Sequence, residues 1–288
     1  MVMGALSFSA GSALIKLAGT RLPALEIVFA RSLFMSIYCW YLARRAGAHI
    51  PGHAKLLLFF RGTLGFGAYF CVFYAVIHLP LADALAIVFA FPLIVPMLAA
   101  IFLKEPMESV ALFAAALGAA GMLCVTRPGF LFGEISGLDP LAVWIAVGAA
   151  LFSAFSVLCI RKLTATEHPL VIVLYAGMIS TVGAPLIDGW NWLLPTGLEL
   201  VLLLSVGFFM SVGQHLITLA IAKSTAARAS ILLYMEVVFA AVFGYLLFHE
   251  IPDQMTVLGV AIIVAGAILL SMKKSAAQGE DYACDQDK

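Results

Sequence analysis

The chain has 288 residues, 64% of them hydrophobic and only 11% charged, and its formal net charge is zero. Its mean hydropathy is +1.09. Soluble domains carry about 25% charged residues, so this composition lacks the polar surface to cover a water-soluble globule. The balanced charge gives no ground for a nucleic-acid partner, and none is expected.

A membrane-spanning helix needs about 20 mostly apolar residues. In chain order, such runs occupy Val2–Ala18, Leu25–Ala43, Leu56–His78, Leu81–Leu103, Met107–Val125, Pro140–Ile160, Pro169–Ile187, Gly197–Ala222, Ala226–Phe248 and Gln254–Met272. The first run opens almost at Met1, with no basic region before it and no small-residue cleavage site after it. It therefore reads as a first span and not a signal peptide. It is short, which leaves room for a start upstream of Met1. The gaps between runs carry turn residues such as Pro51-Gly52, Leu79-Pro80, Glu105-Pro106 and His168-Pro169, as expected where helices end and begin. The tail from Lys273 to Lys288 is polar and patternless, and is expected to lack regular structure. The sequence thus predicts an all-α membrane protein of about ten transmembrane helices embedded in a lipid bilayer.

Cys39, Cys71, Cys124, Cys159 and Cys284 show no metal-ligand or redox spacing. The first four lie in apolar runs, where a free thiol behaves as a small hydrophobe. No disulfide, metal or cofactor is expected.

Loop charges orient the chain. With ten spans, Arg44, Arg45, Lys55, Lys104, Arg161, Lys162, Lys223, Arg228, Lys273 and Lys274 collect on the side of both termini, against Arg21 and Arg127 opposite. Both termini are therefore expected in the cytoplasm, with the inner membrane of a bacterium as the expected location. Trp190 and Trp192 fall on the far side, where an interfacial aromatic belt is expected.

The two halves resemble each other. The register that places Lys104-Glu105 on His249-Glu250 also places Leu81-Ala-Asp-Ala84 on Ala226-Ala-Arg-Ala229 and Gly121 on Gly266. This divides the chain into a first repeat at 1–128, a second at 139–272 and the polar cytoplasmic tail at 273–288. Five helices per repeat is an odd number, so the halves enter the membrane in opposite orientations, the inverted-repeat plan of many secondary transporters.

Several strings resemble the EamA family of the drug/metabolite transporter superfamily. They are Leu79-Pro-Leu-Ala-Asp-Ala-Leu-Ala-Ile-Val-Phe-Ala-Phe-Pro92 with Leu103-Lys-Glu105, Glu26 with Arg31-Ser-Leu-Phe34, Arg61-Gly62, and Glu236-Val-Val-Phe-Ala-Ala241 with His249-Glu250. The resemblance covers residues 1–272. It implies two inverted five-helix bundles around a central cavity, and a carrier that works without ATP hydrolysis. The family often has Pro where this chain has Val237. A kink is therefore expected in the fourth helix, at Pro92 and Pro96, and lacks the same ground in the ninth.

Ionisable groups at membrane depth are costly unless they face a cavity or a partner. Glu236 lies about ten residues into its helix, roughly 15 Å, near the bilayer midplane. It could exchange a proton, bind a substrate amine, or hydrogen-bond structurally to a neighbouring helix. His215, beside Gln214, could line the cavity, although Gly207, Ser211 and His215 share one face that also suits close helix packing. Arg61 could attract an anionic group or snorkel to the headgroups. Lys16, Glu26, Arg31 and Asp83 sit near the outer face and are expected to form a gating or structural ion-pair network. Pro92 and Pro96 are hinge candidates. The aromatic residues Phe66, Tyr69, Phe73, Tyr74, Phe89 and Phe91 are expected mostly toward lipid or core, with an aromatic-lined cavity as the alternative.

The expected function is a secondary carrier of a small organic metabolite. It would be an exporter or exchanger working by alternating access, with proton coupling as an option. An importer of a vitamin, amino acid or nucleotide-like metabolite is the alternative. A membrane-embedded enzyme would need a cluster of carboxylates or a His/Asp constellation, and a channel would need pore-loop features. Neither pattern is visible, nor is a Walker A sequence, and a non-transporting sensor is the remaining alternative. No enzyme activity is expected, and the oligomeric state is left open.

Overall fold

The computed structural model describes residues 1–18, 21–79, 81–106, 108–128, 139–188, 192–249 and 253–286. Side chains are described up to residue 270, except at 16, 18, 24, 73, 76, 77, 81–83, 188 and 248. The described elements are all helical: α1 Val2–Ala18, α2 Ala24–Arg45, α3 Lys55–His78, α4 Leu81–Val88, α5 Phe91–Phe102, α6 Ser109–Thr126, α7 Pro140–Leu163, α8 Pro169–Asp188, α9 Gly197–Ala222, α10 Ala226–Ile231, a 3-10 turn Leu232–Tyr234, α11 Met235–Phe248, and α12 Gln254–Gln286. With α4–α5 and α10–α11 each taken as one span, eight helices are long and apolar enough to cross a membrane. The shorter apolar segments Val2–Ile15 and Gln254–Leu270 complete ten. Large apolar side chains such as Trp144, Leu186 and Leu198 stand exposed on the perimeter, the surface that hydrocarbon would cover.

Two expectations need correction. The polar stretch from Lys273 does not leave the helix, because α12 continues to Gln286. The ninth span, which offered no ground for a kink, is broken at Leu232–Tyr234, as the fourth, where a kink was expected, is between α4 and α5.

The packing is pseudo-symmetric. Helix α3 packs on α7 and, in the second half, its counterpart α9 packs on α1. The α3–α8 contact is likewise matched by α9–α2, and α5–α7 by α11–α1. Two pairs, α2–α8 and α6–α12, relate to themselves. In α6–α12 the backbones touch: a Cβ at Gly121 would meet the Gly259 carbonyl, and one at Gly259 the Gly121 carbonyl. Small residues of this kind let helices approach where the surrounding solvent supplies no hydrophobic drive. The register read from the sequence also appears in the backbone. Lys104 and His249, paired by the repeat, both hold left-handed φ angles of 54° and 53° just past their helices. That conformation is a common helix stop, usually taken by glycine.

Candidate functional site

The repeat also pairs the two helix breaks. In the first half the chain turns at Phe89-Ala90 between α4 and α5. Pro92 lies within the first turn of α5, where its missing N–H leaves no intrahelical partner wanting. The Leu93 N–H turns to the Ala90 carbonyl, which releases the Phe89 carbonyl. In the second half the 3-10 turn Leu232–Tyr234 makes the break without a proline. The two breaks are joined, because the Tyr234 hydroxyl donates to the freed Phe89 carbonyl at 3.1 Å. Tyr234 is 1% exposed, and its ring lies where a Cβ on Gly118 would otherwise stand. The missing proline at Val237 therefore does not prevent a break in the ninth span. Interrupted backbone at membrane depth occurs where protein buries it or a cavity is lined by it.

Glu236 occupies the first turn of α11, directly after this break. It is partly buried, and its carboxylate makes no hydrogen bond or ion pair among the described residues. His215 is also partly buried, with its Nδ1 enclosed and without a partner among the described residues. Gln214 lies beside it on α9 and is partly buried. The small face of α9 does serve packing: Gly207 accommodates Phe34 of α2, and the buried Ser211 hydroxyl returns to the Gly207 carbonyl.

Arg61 does not snorkel. It is 5% exposed, and its guanidinium folds back over Gly65, in the space a Cβ there would take. Its Nε has no partner among the described residues, and the described titratable groups that act on it are Tyr69 and Cys159, not a carboxylate. Arg31 approaches Tyr69 from α2. It is 7% exposed, its guanidinium stacks 3.9 Å from the Tyr69 ring centroid, and its Nη1 faces the Met210 sulfur of α9 at 3.9 Å. A desolvated cation–π contact is worth about 2 kcal/mol, while burying an ion costs several kcal/mol. The Tyr69 face therefore leaves Arg31 under-compensated.

The ion-pair network expected near the outer face does not form between Glu26 and Arg31. Glu26 instead accepts the Leu193 N–H at 3.1 Å. The side chains of Lys16 and Asp83 lie outside the described residues, as does Trp190. Trp192 packs on Phe29 with centroids 4.6 Å apart.

Networks that the sequence did not reveal close the two ends of the bundle. At the end bearing Lys104, Glu105 accepts Arg161 Nε at 2.7 Å and the Ala226 N–H at 3.0 Å, which caps α10. Arg161 also reaches the last carbonyls of α9, Ile221 and Ala222, and Arg228 pairs with Glu108 at 2.6 Å. Nearby, Glu167 accepts the N–H groups of His53 and Ala54 ahead of α3. At the opposite end, Arg21 pairs with Glu199 at 2.8 Å, and Arg127 pairs with Asp253. Apart from Glu105, which marked the repeat, the sequence singled out none of these carboxylates, because their partners come from distant segments.

The doubled five-helix plan agrees with the comparisons. The model of the EamA-like transporter family matches residues 1–127 and again residues 140–272. The chain belongs to the EamA-like transporter family. It is a multi-pass membrane transporter of that family, as the names of its relatives also indicate. It is 34% identical to the pseudopaline exporter CntI of Pseudomonas aeruginosa, over 95% of each chain. It is 29% identical to human solute carrier family 35 member G1, over 95% of this chain and 78% of that one. It is 25% identical to the S-adenosylmethionine uptake transporter of Rickettsia felis, over 95% and 92%. A solved crystal structure shares the fold with a TM-score of 0.81 at 16% identity, over 94% of this chain and 95% of its own.

Proposed function

We propose that this transporter is a secondary carrier that exports or exchanges a small organic metabolite by alternating access, with Glu236, Arg61, His215 and Gln214 facing the substrate. The observation that carries this reading is the Glu236 carboxyl, without a partner among the described residues, beside an interrupted helix at membrane depth. A group so placed serves a ligand or a proton better than it serves packing. Proton coupling through Glu236 follows from the same placement. The pseudopaline exporter favours outward movement. The S-adenosylmethionine uptake transporter favours the second reading, an importer. In this proposal no residue is catalytic, Pro92 and Pro96 border one hinge, and the repeats 1–128 and 139–272 move against each other. Both termini and the tail 273–288 face the cytoplasm, in a bacterial inner membrane.

Metabolites inside and outside cells carrying vector, wild type or Glu236→Gln, at matched membrane expression, test the reading. A compound class that shifts with wild type alone supports it and gives the direction. An equal shift with Glu236→Gln removes Glu236 from the mechanism and keeps the carrier.

A further inference from the structure

We infer that Arg31 and Arg61 form one anion site in the middle of the bundle, and that the transported metabolite is an organic acid with at least two carboxylates. The inference rests on the carrier reading and names its substrate class. Both arginines are more than nine-tenths buried, and neither meets a carboxylate among the described residues. Arg61 has an enclosed Nε with no partner among the described residues. Both approach the same side chain, Tyr69: Arg31 lies over its ring, and Arg61, about two turns earlier on α3, carries its head over Gly65, one turn from Tyr69. The Tyr69 hydroxyl makes no hydrogen bond with a described residue.

The site is central. Arg31 comes from α2, Arg61 and Tyr69 from α3, Met210 from α9 and Ser156 from α7, so both repeats contribute to it. Arginine stays charged at every physiological pH, and its fork matches a carboxylate in a two-bond geometry. Two forks that meet no anion among the described residues therefore await two acidic groups from the ligand. Gly65 contributes directly, because any side chain there would displace the Arg61 head. Arg31, which the sequence assigned to an outer ion-pair network, becomes a binding residue.

The test is thermal unfolding of the purified full chain in detergent, at matched ionic strength, with citrate, succinate, acetate, alanine or putrescine. Citrate or succinate is expected to raise the unfolding temperature of the wild type, and the other three are not. Arg31→Gln and Arg61→Gln should lose that rise while unfolding, without ligand, no earlier than wild type. Arg31→Lys and Arg61→Lys, which keep the charge and lose the fork, should retain a smaller rise. A wild type that neither polycarboxylate stabilises overturns the inference, as does a rise of equal size in the Gln variants, which is a bulk salt effect. Gln variants that unfold earlier without ligand mark the two arginines as structural and overturn it as well. Flux without polycarboxylate stabilisation removes this inference and leaves the carrier standing. Stabilisation without flux does the reverse.

Discussion

The fourth and ninth spans occupy equivalent places in the two repeats and break at equivalent residues, yet by different means. In the fourth, Pro92 begins a new helix at a position where proline is tolerated. In the ninth there is no proline, and a short 3-10 turn ending at Tyr234 makes the break. The difference teaches that the break belongs to the architecture and not to one residue type. A local device suffices on one side. On the other, a tertiary contact does the same work, through the Tyr234 ring on Gly118 and its hydroxyl on the Phe89 carbonyl.

If so, the two sides should differ sharply in their response to substitution. The largest effect is expected from Tyr234→Ala, which empties a buried aromatic site and releases the Phe89 carbonyl. A loss of about 3–5 kcal/mol is expected from the unfolding midpoint in detergent. An intermediate effect is expected from Tyr234→Phe, which keeps the ring and removes one hydrogen bond, costing about 1 kcal/mol. The smallest is expected from Pro92→Ala. Its first-turn position asks nothing of the missing N–H, so stability should change by less than about 1 kcal/mol. A Pro92→Ala effect as large as that of Tyr234→Ala would place the cause of both breaks in local sequence.

The same contrast explains what could be read from the sequence. The spans, their even number and the repeat were legible because hydropathy and turn residues are local signals, as at Lys104-Glu105 and His249-Glu250. Pro92 announced a kink for the same reason. Tyr234 announced nothing, because one tyrosine in an apolar run looks like any core aromatic until the helix that meets it is known. The charges failed in a related way. Glu26 and Arg31 lie at comparable depth with opposite signs, which suggested ion pairing. Their helix instead points one at the Leu193 N–H and the other at the Tyr69 ring. Glu105 and Arg161 do pair, across segments that no local pattern links.

Alternating access by inverted repeats makes one geometric demand: the two ends must open in opposition. Lys104 and Lys223 lie exposed at one end, and their repeat counterparts, His249 and His78, lie exposed at the other. Spin labels on the pair at 104 and 223, and separately on the pair at 78 and 249, would report both ends by double electron–electron resonance in nanodiscs. Across a pH series, and with Tyr234→Phe, two distance populations are expected at each end, the longer growing at one end as it shrinks at the other. Distances that stay fixed at both ends, or lengthen together, would contradict the account.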